Sequence, residues 1–150
     1  MPRITRNASI AWEGNLARGR GHITADTGAF AELAFSLATR ITPKEGATSP
    51  EELLAAAHGA CFTMSLAGEL TAAGTPPTQI EVSCEIVMDE VAGGGGHQIV
   101  GSNLEARATV EAIDDDAFAA VARRADEECP FSALLKRSGA QVSLDARLVA

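Results

Sequence analysis

The sequence predicts an α+β fold in the order βββ-α-ββ-α-β, built around one buried central helix. Three observations carry that prediction: short runs of alternating polarity open and close the chain, an uncharged alanine-rich stretch with capping signals at both ends lies between them, and no segment repeats or divides the 150 residues. A chain of this length reads as a single domain, residues 1–150, able to bury an ordinary core without disulfide or metal staples.

The elements follow in order. Three strand-like runs come first, NASIAWEG (7–14), GHITAD (21–26) and FSLATRI (35–41), separated by glycine-bearing turns such as ARGRG, and together they read as a meander. The central helix starts at Ser49 as N-cap, with Pro50 at its first position and Glu52 three residues after the cap completing a capping box; Gly74 is its stop. Leu53, Leu54, Phe62, Met64, Leu66 and Leu70 spread around most of its circumference, which predicts a helix covered on nearly all sides. After the GTPPT turn, QIEVSCEIVMDEV alternates with period two, placing Ile80, Val82, Cys84, Ile86 and Met88 on one face. The GGGG turn at 93–96 and the alternating LEARATVEA then make a hairpin. DDDAFAAVARRADEE has acidic residues at its start and Phe118, Val121 and Ala122 at helical spacing, and AQVSLDARLVA closes the chain as another strand.

Composition narrows the function classes. A formal net charge of -8 weighs against nucleic acid or an anionic membrane surface as partner, since both require concentrated positive charge. The opening MPRITRNASIAWEG has no apolar segment of the secretory type, so a cytoplasmic location is expected. The longest run without formal charge, 53–68, is 16 residues, short of the roughly 20 that span a bilayer. It reads as a core helix.

Three cysteines, an odd number in a reducing compartment, argue for thiols with individual roles over a disulfide framework. Cys84 lies on the apolar face of a strand and reads as a small hydrophobe. Cys61, inside the apolar helix, fits the core as well as a site. Cys129 precedes Pro130, which can open a second short helix; an N-cap thiol there meets free backbone N–H groups and the positive end of the dipole, opposed by Glu127 and Glu128, and both a reactive and a structural role stay open. His58 shares a helix face with Cys61, but two ligands leave a zinc site incomplete, His22 and His97 have no partner spacing, and the glycine run lacks the strand-to-helix setting of a phosphate loop. No metal and no cofactor is expected.

The runs SPEELLAAAHGACFTMSL, AWEGNLARGRG, ATR and EECPFSALLK, in that order, resemble the OsmC/Ohr superfamily of osmotically inducible and organic hydroperoxide resistance proteins, on its OsmC side, over essentially the whole chain. The resemblance implies an intertwined α+β homodimer and a thiol-dependent peroxidase that reduces organic hydroperoxides, and hydrogen peroxide less well, in oxidative or osmotic stress defence. It implies Cys61 as the attacking thiol and Cys129 as its resolving partner, through a sulfenic acid and a Cys61–Cys129 disulfide, with a dithiol, of lipoyl type, as reductant. Arg40 in ATR matches the arginine near the reactive thiol and Glu51 the acidic residue that orients it, while Arg18 or Arg20 competes on the pattern of Ohr-type members. Phe62, Met64 and Phe131 stand beside the cysteines in sequence and either line an apolar substrate pocket or belong to the core.

The chemistry explains why such groups are needed. A buried thiol is mostly protonated at neutral pH, and Cys61 lies too deep in its helix for the dipole to help. A guanidinium can hold the thiolate and donate to a peroxide oxygen as the O–O bond breaks. Glu51 and Cys61 are ten residues apart, roughly 15 Å along one helix, which predicts that Glu51 and its arginine reach the Cys61 of a partner chain. The alternatives are a non-enzymatic redox sensor or dimeric interaction protein, and a metal-dependent hydrolase using His58 and Cys61.

Overall fold

The structure is a computed structural model that describes residues 1–149. Two compact units make up the chain, Met1–Leu53 and the remainder from Leu54 onward.

In the first unit, β1 (Ala8–Glu13), β2 (Arg20–Ala25), β3 (Leu33–Phe35) and β4 (Ala47–Thr48) form a sheet in sequence order, antiparallel except for the β3–β4 pair. Trp12 and Phe35 lie 5.6 Å apart between ring centroids. Gly21 sits between them: an added Cβ would fall 2.4 Å from the Phe35 ring and 2.9 Å from Trp12, so only glycine fits.

FSLATRI, read as one strand, is a correction. Only Phe35 of it is strand, and Leu37–Ile41 is a short helix, α1. Ser36 and Thr39 cause the change, because the Ser36 hydroxyl accepts the Thr39 N–H at 3.1 Å and the Thr39 hydroxyl accepts the Ser36 N–H at 2.9 Å, a reciprocal cap that outweighs the strand-like alternation. The order therefore gains α1 and β4 before the central helix, and a short helix late in the chain.

The central helix α2 (Pro50–Ala72) begins as its capping residues dictate, with the Ser49 hydroxyl accepting the Glu52 N–H at 3.1 Å. The Glu52 carboxylate accepts instead from the Thr48 hydroxyl at 2.8 Å. At the other end Gly74 takes φ +81°, and the Thr75 and Gly74 N–H groups bond the Leu70 and Thr71 carbonyls, both at 3.0 Å, a Schellman stop.

In the second unit, β5 (Pro77–Glu90) and β6 (His97–Val110) form the expected hairpin, with Cys84 opposite Leu104 and Val82 opposite Ala106. β7 (Gln141–Leu148) runs parallel to β6. A parallel neighbour needs a crossover, supplied by α3 (Asp115–Glu128) and α4 (Pro130–Arg137). The core joins Phe62, Leu66 and Leu70 of α2, Leu104, Ala106 and Ala108 of β6, Phe118, Val121, Ala122 and Ala125 of α3, and Cys129. Full burial of Phe62, Leu66 and Leu70 contributes about 1.5–3 kcal/mol each.

Within one chain α2 is not covered on nearly all sides. Its buried stripe is His58, Phe62, Leu66 and Leu70, at four-residue spacing, while Ala56, Ala60, Met64 and Gly68 form an exposed stripe. The helix is 23 residues long, because it carries on past both ends of the uncharged run, and by length and a mean hydropathy of 1.2 it has the size of a membrane span. Its buried histidine and its share in the core mark it as the main core helix of the second unit.

Candidate active site

Folding brings together two thiols that lie 68 positions apart. Cys61 is half-buried on α2; Cys129 is fully buried where α3 ends, in extended backbone (φ −71°, ψ 116°), and serves as N-cap of α4 with Pro130 next. Cys61 packs against the core group that includes Cys129, near enough for the Cys129 thiol and the Phe131 backbone N–H to act on its proton. The first N–H groups of a helix have no partner inside it. Pro130 has none to offer, so Phe131 presents the donor. All three cysteines are unbridged.

Burial pushes the Cys61 thiol above its ordinary value and the neighbouring Cys129 thiol adds to that, against the Phe131 N–H, which favours the thiolate. In this arrangement the sulfur is held as a thiol at neutral pH. Burial likewise raises Cys84.

In the first unit Arg40, on α1, grips Glu51, in the first turn of α2. Arg40 Nε donates to Glu51 Oε1 at 2.9 Å and Oε2 at 3.1 Å, and Arg40 Nη2 donates to Oε1. This fork holds the Glu51 carboxyl below the usual range and the guanidinium above its own. The competing Arg20 pairs at 3.6 Å with Glu13 across the β1–β2 ladder, both side chains exposed, and the Arg18 N–H donates to Asn15 Oδ1 at 3.0 Å.

Sequence spacing tied His58 only to the Cys61 face of its helix and did not reveal its partners. Its ring is fully buried, with Nδ1 2.6 Å from the Ser102 hydroxyl and Nε2 2.7 Å from the Ser132 hydroxyl. Ser102 lies 3.4 Å from the Cys84 sulfur. With both ring nitrogens engaged, His58 has no lone pair open to a metal, and among the described residues no group of three His, Cys, Asp or Glu is arranged as a metal site. Burial lowers its pKa, so the ring is neutral. The only signal was spacing, since His58 comes three residues before Cys61 and Ser132 three after Cys129. Of the three apolar candidates, Phe62 is buried in the core, Met64 is 77% exposed and Phe131 36% exposed.

A helix-borne thiol packed beside a second thiol at a helix N-cap, over an α+β frame, defines a dithiol protein. The chain belongs to the OsmC family: the family profile, described as OsmC-like protein, matches residues 43–145. It is 34% identical over 145 residues to peroxiredoxin OsmC of Escherichia coli (strain K12), and the match covers 97% of each chain. Peroxiredoxin OsmC of Shigella flexneri matches at the same 34% identity and 97% coverage of each chain. Among solved structures, an organic hydroperoxide resistance protein from Elizabethkingia anophelis aligns with a TM-score of 0.79 at 20% identity, covering 99% of both chains. The organic hydroperoxide resistance protein OsmC of Legionella pneumophila aligns at 0.77 and 22% identity, covering 98% of this chain and 99% of that one. OhrB of Bacillus subtilis aligns at 0.73 and 24%, covering 94% and 98%. These structural likenesses establish the fold.

Proposed function

We propose that this chain is a thiol-dependent peroxidase that reduces organic hydroperoxides, and hydrogen peroxide less well. The observation that carries the reading is the placing of Cys61 against the core group that holds Cys129, together with relatives named peroxiredoxin and organic hydroperoxide resistance protein. The Cys61 thiolate attacks the distal peroxide oxygen, the O–O bond breaks, an alcohol leaves, and Cys61 becomes a sulfenic acid. Cys129 then attacks that sulfur, an S–S bond forms, and water leaves. A dithiol, of lipoyl type on the family resemblance, returns both thiols.

Because burial and Cys129 both favour the protonated Cys61, the first step calls for a cation beside it. Arg40, oriented by Glu51, is assigned that role, and it is supplied to the Cys61 of a second copy. The exposed stripe Ala56, Ala60, Met64 and Gly68 supports a homodimer with shared sites, since small residues let two such helices approach closely. The family profile runs through the boundary between the two units, which supports one domain over 1–150. Met64 and Phe131 are the exposed apolar groups suited to an alkyl peroxide; Phe62 acts as packing. The protein acts in the cytoplasm, in oxidative or osmotic stress defence.

The test is steady-state turnover with dihydrolipoamide, comparing cumene hydroperoxide with hydrogen peroxide. Sustained consumption with a higher kcat/KM for the bulky peroxide, lost in Cys61→Ser, is the expected result; a single stoichiometric oxidation without turnover contradicts it.

A further inference from the structure

We infer that His58, through Ser132, is a positioning residue for disulfide closure: its ring ties the helix bearing Cys61 to the helix bearing Cys129, one turn away from each thiol. The inference deepens the peroxidase reading above and, for its role in turnover, rests on it.

The network has four members on four elements. Ser132 on α4, His58 on α2, Ser102 on β6 and Cys84 on β5 are joined at 2.7, 2.6 and 3.4 Å. His58, Ser102 and Ser132 are all 0% exposed, so no water competes for these bonds. A neutral imidazole has one N–H and one lone pair, so one serine donates to it while the other accepts. Chains of this kind, fully satisfied and dry, allow one arrangement of their members.

The placement relative to the thiols gives the network its use. On α2, His58 and Cys61 are three residues apart and share a face; on α4, Ser132 is three residues past the N-cap Cys129. Lys136 meets Asp126 at 2.5 Å and ties α4 to α3, and Arg124 meets Glu69 at 2.5 Å and ties α3 to α2. The Lys136–Asp126 pair also lies within electrostatic reach of His58. The His58–Ser132 bond spans α2 and α4 directly, and it sets where the first turn of α4 meets Cys61. Serine is suited to this task, as its short side chain leaves little slack between ring and backbone.

Closure is where this matters. The sulfenic acid of Cys61 has two fates. The Cys129 thiolate attacks its sulfur, an S–S bond forms, the S–O bond breaks, and hydroxide leaves with a proton as water. In competition a second hydroperoxide oxidises the sulfur to a sulfinic acid, and its own O–O bond is reduced to give an alcohol. The first fate depends on the position of Cys129; the second does not.

The test compares His58→Asn, His58→Gln and Ser132→Ala with the unsubstituted protein. An asparagine amide reaches the Nδ1 position and keeps Ser102 but not Ser132; a glutamine amide reaches the Nε2 position and keeps Ser132. Each of the three variants loses one buried hydrogen bond, so a merely structural role moves them alike, and thermal melting confirms that each is folded. Disulfide closure is followed by mass spectrometry after oxidation with diamide, whose N=N bond takes two electrons and two protons from the two thiols. Expected are closure slowed about tenfold or more in Ser132→Ala and His58→Asn and near-normal closure in His58→Gln. With cumene hydroperoxide, the first two are expected to accumulate sulfinic Cys61 at an unchanged rate of initial thiol loss. Closure at the unsubstituted rate in both Ser132→Ala and His58→Asn, or equal slowing in His58→Gln and His58→Asn, overturns the inference. Diamide oxidises thiols whether or not the protein is a peroxidase, so unsubstituted protein that ignores hydroperoxide but shows the expected diamide pattern sinks the peroxidase reading and leaves the positioning role standing.

Discussion

Cys61 packs against the core group that includes Cys129, and both the Cys129 thiol and the Phe131 N–H in the first turn of α4 act on its proton. The two contacts act in opposite directions on the same proton. The neighbouring Cys129 favours the thiol, and the Phe131 N–H favours the thiolate.

Removing Cys129 therefore lowers the pKa of Cys61. In Cys129→Ala the pH profile of iodoacetamide alkylation at Cys61 shifts to lower pH than in the parent protein, yet stays above that of a free cysteine, because burial, the larger cause, persists. Peptide mapping of the alkylated site against pH checks both parts.

Glu51 separates a functional from a structural role. The Arg40–Glu51 fork is partly exposed, with side chains 39% and 18% accessible, so Glu51→Gln is expected to lower stability by no more than about 1 kcal/mol. Loss of arginine orientation at a reacting thiolate costs about tenfold or more in kcat/KM. A co-expressed pair of Cys61→Ser and Arg40→Ala chains recovers activity if the site is shared, and kinetics on the purified heterodimer measures it.

His58 gives the stability curve an acid limb. Burial holds its pKa below the unfolded value, so its contribution is fully present above roughly pH 6.5 and is lost as the pH falls. Glu51, also depressed, adds a loss in the same direction at lower pH. The difference in melting temperature between the parent and His58→Gln is expected to shrink from pH 7.5 to 5.5. His58→Ala at neutral pH costs roughly 1–3 kcal/mol for each serine left unpaired, read by urea unfolding.

The proposed homodimer places the exposed α2 stripe at its interface. Ala60→Arg places a charge among Ala56, Met64 and Gly68, and light scattering is expected to give twice the chain mass of 15.5 kDa for the parent protein and that mass alone for the variant.

Much of this arrangement was legible along the chain. Period-two alternation located Ile80 to Met88, and Ser49, Pro50, Gly74 and Pro130 marked the helix ends, because each signal is carried by neighbours in sequence. The helix at Leu37–Ile41 was hidden since Ser36 and Thr39 reverse a strand-like pattern by capping each other. β4 is only two residues, paired in parallel with β3, and no periodicity exists at that length. The His58 partners lie 44 and 74 residues away, and nothing local marks a serine as the partner of a distant ring. For the same reason Cys61 and Cys129 could be paired from the chain only through family resemblance.

Addition of one equivalent of cumene hydroperoxide to the reduced protein, followed by thiol titration and peptide mapping, tests the dithiol chemistry most directly. The expected result is a fall from three free thiols to one, with Cys84 left free and a Cys61–Cys129 disulfide recovered. Three thiols remaining, or a disulfide that includes Cys84, contradicts it.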